Sequence, residues 1–239
     1  SMDVFIERLP LSRNFFAKQV VVKRFDETTV ISDEEYSKLF GRLSELFPYV
    51  EEITFEDISY VNCTNFPKLK IVNAPLATTI YLHWCAALTQ IYAPVSTTIS
   101  FHWCASLTQI DASVALTVDC NKCVSLTQIN APVAITVCCW WCTELKQLNA
   151  PLATDVSCDW CTALTQIDAP VALTIGCERC IALTKLSAPI ATKAFCSGCI
   201  KLGGLNFPLA EIVNCDRCTA LTKLNLPLAT QVDCNWCTA

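Results

Sequence analysis

The chain has 239 residues, 53% of them apolar, with a net charge of -5 and no cluster of Lys or Arg. Such a composition can fill a continuous core, and it argues against nucleic acid and anionic membrane as partners. Thr, Gln, Asp, Asn and Pro break every apolar run before it is long enough to span a bilayer.

In chain order, Phe15 to Phe25, with Val20, Val21 and Val22, reads as a strand. Ser32-Asp33-Glu34-Glu35 has the form of a capping box. Tyr36, Leu39, Phe40, Leu43 and Phe47 come next at helical spacing until Pro48 stops them. Residues 1–46 are expected to form a small α/β cap on the repeats beyond them.

From residue 47 to residue 239 one pattern recurs every 19 residues, as in CTALTQIDAPVALTIGCERC from Cys161 to Cys180. A fixed short period means one small unit stacked on itself, so each repeating residue becomes a column in space. Leu126, Leu145, Leu164 and Leu183 form one column, and Ile129, Leu148, Ile167 and Leu186 another three residues on. The spacing LxxIxA predicts a short strand with its apolar residues inward, then a corner marked by proline, with Ser113 as the one exception. After the proline, Val95, Thr97, Ile99 and Phe101 alternate with more polar neighbours, as do Val171, Leu173, Ile175 and Cys177. That period of two predicts a second strand beginning at the corner. The expected fold is a mainly-β, leucine-rich-repeat-like solenoid of about ten coils, the first of them degenerate around Val50, Ile53 and Phe55. The chain stops at Cys237-Thr238-Ala239 inside a repeat, which predicts a longer protein or an uncapped end open to self-association.

The string C-x-x-L-x-x-I-x-A-P, and Ala194-Phe195-Cys196-Ser197-Gly198-Cys199 within it, resembles the BspA-like leucine-rich repeats of bacteria and protists. The resemblance covers roughly residues 47–239 and implies a non-enzymatic surface or interaction protein. Two departures stand out: the unit is short, and the family's Phe column is here mostly cysteine.

That column reads Cys63, Leu82, Phe101, then cysteine seven times, each three residues before a second cysteine. The pairs are Cys120/Cys123, Cys139/Cys142, Cys158/Cys161, Cys177/Cys180, Cys196/Cys199, Cys215/Cys218 and Cys234/Cys237. Leu82 and Phe101 show that larger apolar groups fit the same place, and truncating a buried Phe typically costs about 3–5 kcal/mol. Something should compensate for the smaller sulfur side chains. These fourteen cysteines are the candidate ligands for a soft metal, with Cu(I) first and Zn(II) or an iron–sulfur cluster after it. Buried free thiols that merely fill space are the competing state. Disulfides between coils are the third, because about 4.8 Å between strands lies within the Cα range of a disulfide.

The outer faces offer further readings. Trp84, Trp103, Lys122, Trp141, Trp160, Arg179, Gly198, Arg217 and Trp236 precede the later cysteines and should form a ridge of Trp and Arg suited to a protein partner. His83 and His102 lie beside it as accessory ligands or as solvated corner residues. Gln90, Gln109, Gln128, Gln147 and Gln166, with Asp111, Asn130, Asn149 and Asp168, make the first strand polar on its outer side. By analogy with leucine-rich repeats that strand face is a second partner surface. Thr98, Thr117, Thr136 and Thr174 line the other sheet in the manner of ice-binding Thr arrays, but Asp155 and Lys193 interrupt them.

No phosphate loop, HExxH or nucleophile elbow is present, so no enzyme is expected. Eighteen cysteines within a large regular core favour a reducing compartment over a secreted disulfide scaffold. A secreted or surface location stays open, and Asn62-Cys63-Thr64 has the form of a glycosylation acceptor.

Overall fold

A computed structural model describes residues 17–23 and 33–237 of the chain. It is a mainly-β parallel solenoid of about ten turns, each turn taking 19 residues, with one short helix among the described residues. Residues 1–107 and 108–239 form two compact units.

In the first unit, strand Gln19–Lys23 lies parallel to Glu52–Glu56, and Ile71–Asn73 and Gln90–Tyr92 continue that sheet. Helix Asp33–Leu46 buries Leu39, Phe40 and Leu43, with Phe47 just beyond it, and Phe40 meets Phe55 edge-on at 5.6 Å. The apolar spacing of the sequence therefore does set the helix face. Ser32 of the capping box, and the flanks of the expected first strand, lie outside the described residues.

In the second unit every coil contributes two three-residue strands. The second strands, from Thr117–Asp119 to Gln231–Asp233, succeed one another in parallel order, while the first strands fall into three short sheets. Register is a constant 19 residues, so Val137 lies beside Val156 and Ile129 beside Leu148. The Leu, Ala and Cys columns fill the interior, and nearly all their members are fully buried as far as Cys218.

Three tight turns close each coil. The first is Ala-Pro-x-Ala, in which the Ala153 N–H donates to the Ala150 carbonyl at 3.2 Å. Proline suits the second position of such a turn because its ring already fixes φ. The other two share the later cysteine: the Cys161 N–H donates to the Cys158 carbonyl, and the Leu164 N–H to the Cys161 carbonyl.

The proline turn corrects the phase expected for the second strand. Val95, Thr97 and Leu173 point outward and Val171 is half-buried, whereas Ser96 and Ala172 between them are buried. Alternation starts only at the strand proper, at Thr98 or Thr174, because the turn consumes the residues before it. A small residue is needed at the inner turn position. Ser96 fits there by donating its hydroxyl to the Ala77 carbonyl at 2.6 Å.

Candidate functional site

Of the fourteen candidate cysteines, the twelve from Cys120 to Cys218 are fully buried, Cys234 is exposed and Cys237 is half-buried. None of the eighteen cysteines is oxidised, so the disulfide state is not the one described.

The two columns behave differently. Later cysteines reach back one coil and donate their S–H to the carbonyl of the residue in the earlier column. Cys161 does so to Cys139 at 3.1 Å, Cys180 to Cys158 at 3.1 Å and Cys199 to Cys177 at 3.0 Å. The bond survives where the earlier residue is not cysteine, because Cys104 donates to the Leu82 carbonyl at 2.9 Å. That carbonyl sits at a buried corner and also takes an N–H from its own coil, as Cys158 does from Cys161 at 3.2 Å. The thiol satisfies its second lone pair. The first coil has Phe66 in this column, and helix Asp33–Leu46 stands where a preceding coil would be. Cysteine thus appears where an earlier coil offers a carbonyl.

The earlier cysteines bond more weakly to the next coil: Cys120 reaches the Cys138 carbonyl at 3.7 Å, and Cys158 the Gly176 carbonyl at 3.3 Å. The thiol that acts most strongly on each is the later cysteine 22 residues on, the same one that bonds its carbonyl. Contact with that thiol, and then burial, hold Cys120, Cys139, Cys158, Cys177 and Cys196 well above the ordinary thiol range. Burial pushes Cys215 up to about 12. The converse contact, with Cys196, lowers Cys218. The sequence grouped the thiols within CxxC; in the second unit their contacts run diagonally between coils, whereas in the first unit Cys85 meets Cys104, straight up its own column.

Cys123 shows what that correction means for a single residue. The CxxC spacing paired it with Cys120 as a metal ligand, and it is indeed fully buried at the same corner, its carbonyl accepting the Leu126 N–H at 3.0 Å. Cys120, however, has Cys142 as its thiol neighbour. The residue 22 positions before Cys123 is Phe101, so no diagonal pair of thiols includes Cys123.

No group of three or more His, Cys, Asp or Glu among the described residues, Cys123 and the other candidate cysteines included, is arranged to hold a metal ion. His83 and His102 stack face to face at 4.4 Å and converge through Nε2 on the Ser100 hydroxyl, at 2.9 and 3.4 Å. Their ring nitrogens are turned to that serine.

The ridge is real, and its backbone is not what the side chains suggest. From Trp84 to Trp236, each residue before a later cysteine has φ between 59° and 75°. Left-handed backbone is a site for Gly or Asn and costs a bulky residue about 1–2 kcal/mol. Gly198 is the only member of the run that is glycine. Its presence among Trp, Lys and Arg, with Asn65 one coil before the run, was the available signal. Contacts with the next coil offset the strain: the Trp141 N–H donates to the Asp159 carbonyl at 2.8 Å, and the Arg179 N–H to the Ser197 carbonyl at 2.7 Å. Side chains add to this, with Trp141 stacked on Trp160 at 4.6 Å and Arg179 over Trp160 at 5.4 Å.

Elsewhere on the surface, Leu76, Val95, Val114, Val133, Leu152, Ile190, Leu209 and Leu228, each one residue past the turn proline or Ser113, are all exposed. The polar first-strand face is knitted together, Asn149 donating to the Asn130 side chain at 2.8 Å. The interrupted Thr column on the second sheet is only half-exposed. No helix among the described residues is long and apolar enough to cross a membrane. Compared with protein families, curated proteins and solved structures, the chain matches none of them.

Proposed function

We propose that this chain is a non-enzymatic interaction scaffold whose cysteines rest as structural thiols. The observation that carries this reading is the repeated S–H bond from a later cysteine to a carbonyl of the coil before it, at 3.0–3.1 Å for Cys142, Cys161, Cys180, Cys199 and Cys218. A thiol used this way is protonated and part of the backbone's hydrogen-bond accounting, as buried polar groups must be. What then remains for recognition is the outside. The aliphatic column past the prolines is the strongest part of it, because contiguous exposed apolar surface on a folded protein marks a place of contact. The resemblance of the repeat to BspA-like units agrees with a scaffold role.

Two measurements test the reading. Protein isolated under reducing conditions should contain no stoichiometric metal, and its buried thiols should react with a thiol reagent only after denaturation. Bound metal as isolated would overturn the structural role. Introducing charge into the column, as in Val133→Asp with Leu152→Asp, should leave the melting temperature nearly unchanged while abolishing capture of at least one partner in quantitative crosslinking. An identical capture profile for both proteins counts against the scaffold.

A further inference from the structure

Within each diagonal pair the two thiols have different duties. The later one donates to a carbonyl at 3.0–3.1 Å, whereas the earlier one, in Cys120, Cys158 and Cys196, makes a longer bond of 3.2–3.7 Å. The pairs run from Cys120 with Cys142 to Cys215 with Cys237, six in the second unit. We infer that each diagonal pair is a two-coordinate site for a soft monovalent cation of the Cu(I) or Ag(I) kind.

Such ions select sulfur over oxygen and nitrogen. Two sulfurs bridged at about 2.3 Å each need be no more than about 4.6 Å apart, and the 3.1 Å bond from the later thiol to its partner's own carbonyl sets the two cysteines side by side. Loading rests on the unequal duties. The earlier thiol gives up only its longer bond and releases its proton to solvent as its sulfur bonds the cation, which replaces the proton charge for charge, so the burial that keeps this thiol protonated does not oppose the exchange. The later sulfur adds a lone pair to the same ion and keeps its S–H on the carbonyl. One proton leaves per ion and the pair stays neutral, which suits an interior where net charge is costly. No redox step is involved. The CxxC spacing, which invites pairing within a coil, is on this account a by-product of two columns that pair across coils.

Silver titration followed by native mass spectrometry tests the pairing. The Cys85→Ala, Cys138→Ser, Cys234→Ser protein serves as background, with excess glutathione present to strip singly held ions. Six Ag(I) ions are expected at the plateau, one for each diagonal pair of the second unit. Cys158→Ala, Cys180→Ala and the two combined should each lose one ion, because they belong to one pair. Cys158→Ala with Cys161→Ala should lose two, where pairing within the coil predicts one. Silver-edge absorption on the background protein itself, which needs no further variant to fold, should report two sulfur neighbours per ion. A loss of one in the within-coil double variant, three or four sulfurs per ion, or no uptake by folded protein would each overturn the inference. Those failures leave the resting-thiol scaffold standing, since it concerns the protein before any cation is supplied.

Discussion

The two corners of a single coil solve the same problem in opposite ways. At the proline corner every local rule is kept: proline holds φ, a small Ala lies inside, and an N–H closes the turn, as from Ala172 to Ala169 at 3.1 Å. At the cysteine corner the rules are broken. Bulky residues take left-handed backbone at φ near 60°, and a buried carbonyl is finished by sulfur. Both corners bond to neighbouring coils, but the proline corner carries no backbone strain for those bonds to offset, while the cysteine corner does. The Trp160 N–H reaches the next coil at 2.7 Å, and the Cys180 thiol reaches back to the one before. Strain within a coil is thus balanced by bonds between coils.

The largest effect should come from cutting such a bond. Cys161→Val keeps the volume but removes the donor to Cys139, at an expected cost of about 1–3 kcal/mol. Cys158→Val, in the column that elsewhere accepts Leu82 and Phe101, should cost less than about 1.5 kcal/mol. Equal shifts of the urea midpoint for the two would erase the distinction between the columns. Next in size is Gly198→Ala, whose new Cβ would lie 2.7 Å from Arg179 Cδ on left-handed backbone. About 1–2 kcal/mol of destabilisation is expected, and Arg179→Ala in the same chain should recover part of it in a thermal melt.

Across the coil, Pro151→Ala should cost only about 0.4–1 kcal/mol, chiefly by loosening the unfolded chain. A cost as large as that of Cys161→Val would erase the contrast between an unstrained and a strained corner. The smallest effect concerns Asp159, whose Oδ1 accepts the Glu178 N–H at 2.7 Å. Burial raises this carboxyl above its ordinary value of 3.8. Its protonated form therefore favours the fold, a contribution complete below that ordinary value and lost as pH rises through the raised one. Asn121 already makes the equivalent bond to Trp140. Asp159→Asn should raise the melting temperature slightly at pH 7, and the gain should vanish near pH 3. A gain independent of pH would point to another cause.

Much of this was readable in the chain. The 19-residue period set the coils, LxxIxA set the first strand, and Tyr36 to Phe47 set the helix, because burial in a repeat leaves a strict periodic trace. The phase of Val95 and Val171 was not readable, since a turn consumes residues without changing their apolar character. The thiols were legible as two buried columns, with Leu82 and Phe101 setting the earlier one apart as replaceable. Their direction was not legible. Spacing shows which sulfurs share a coil, as Cys120 and Cys123 do, while the S–H bond depends on which carbonyl of another coil remains unfinished. Left-handed backbone at Trp84 or Arg179 leaves no mark in residues that rarely adopt it. Only Asn65 and Gly198 hinted at it.

The bonds between coils share a single reach. The interior thiols, the corner N–H groups and the threonine hydroxyls all find partners 18 to 22 positions away, as with Cys180 and Cys158, Cys158 and Gly176, or Thr184 and Thr165. A tandem duplication of fifty-seven nucleotides anywhere in this stretch would restore every such partnership at the junction. The gene can therefore lengthen or shorten by recombination between its own repeats while each surviving segment keeps its surroundings. Length is then a variable that can change without disturbing the surroundings of any surviving coil, each added coil bringing its own interface.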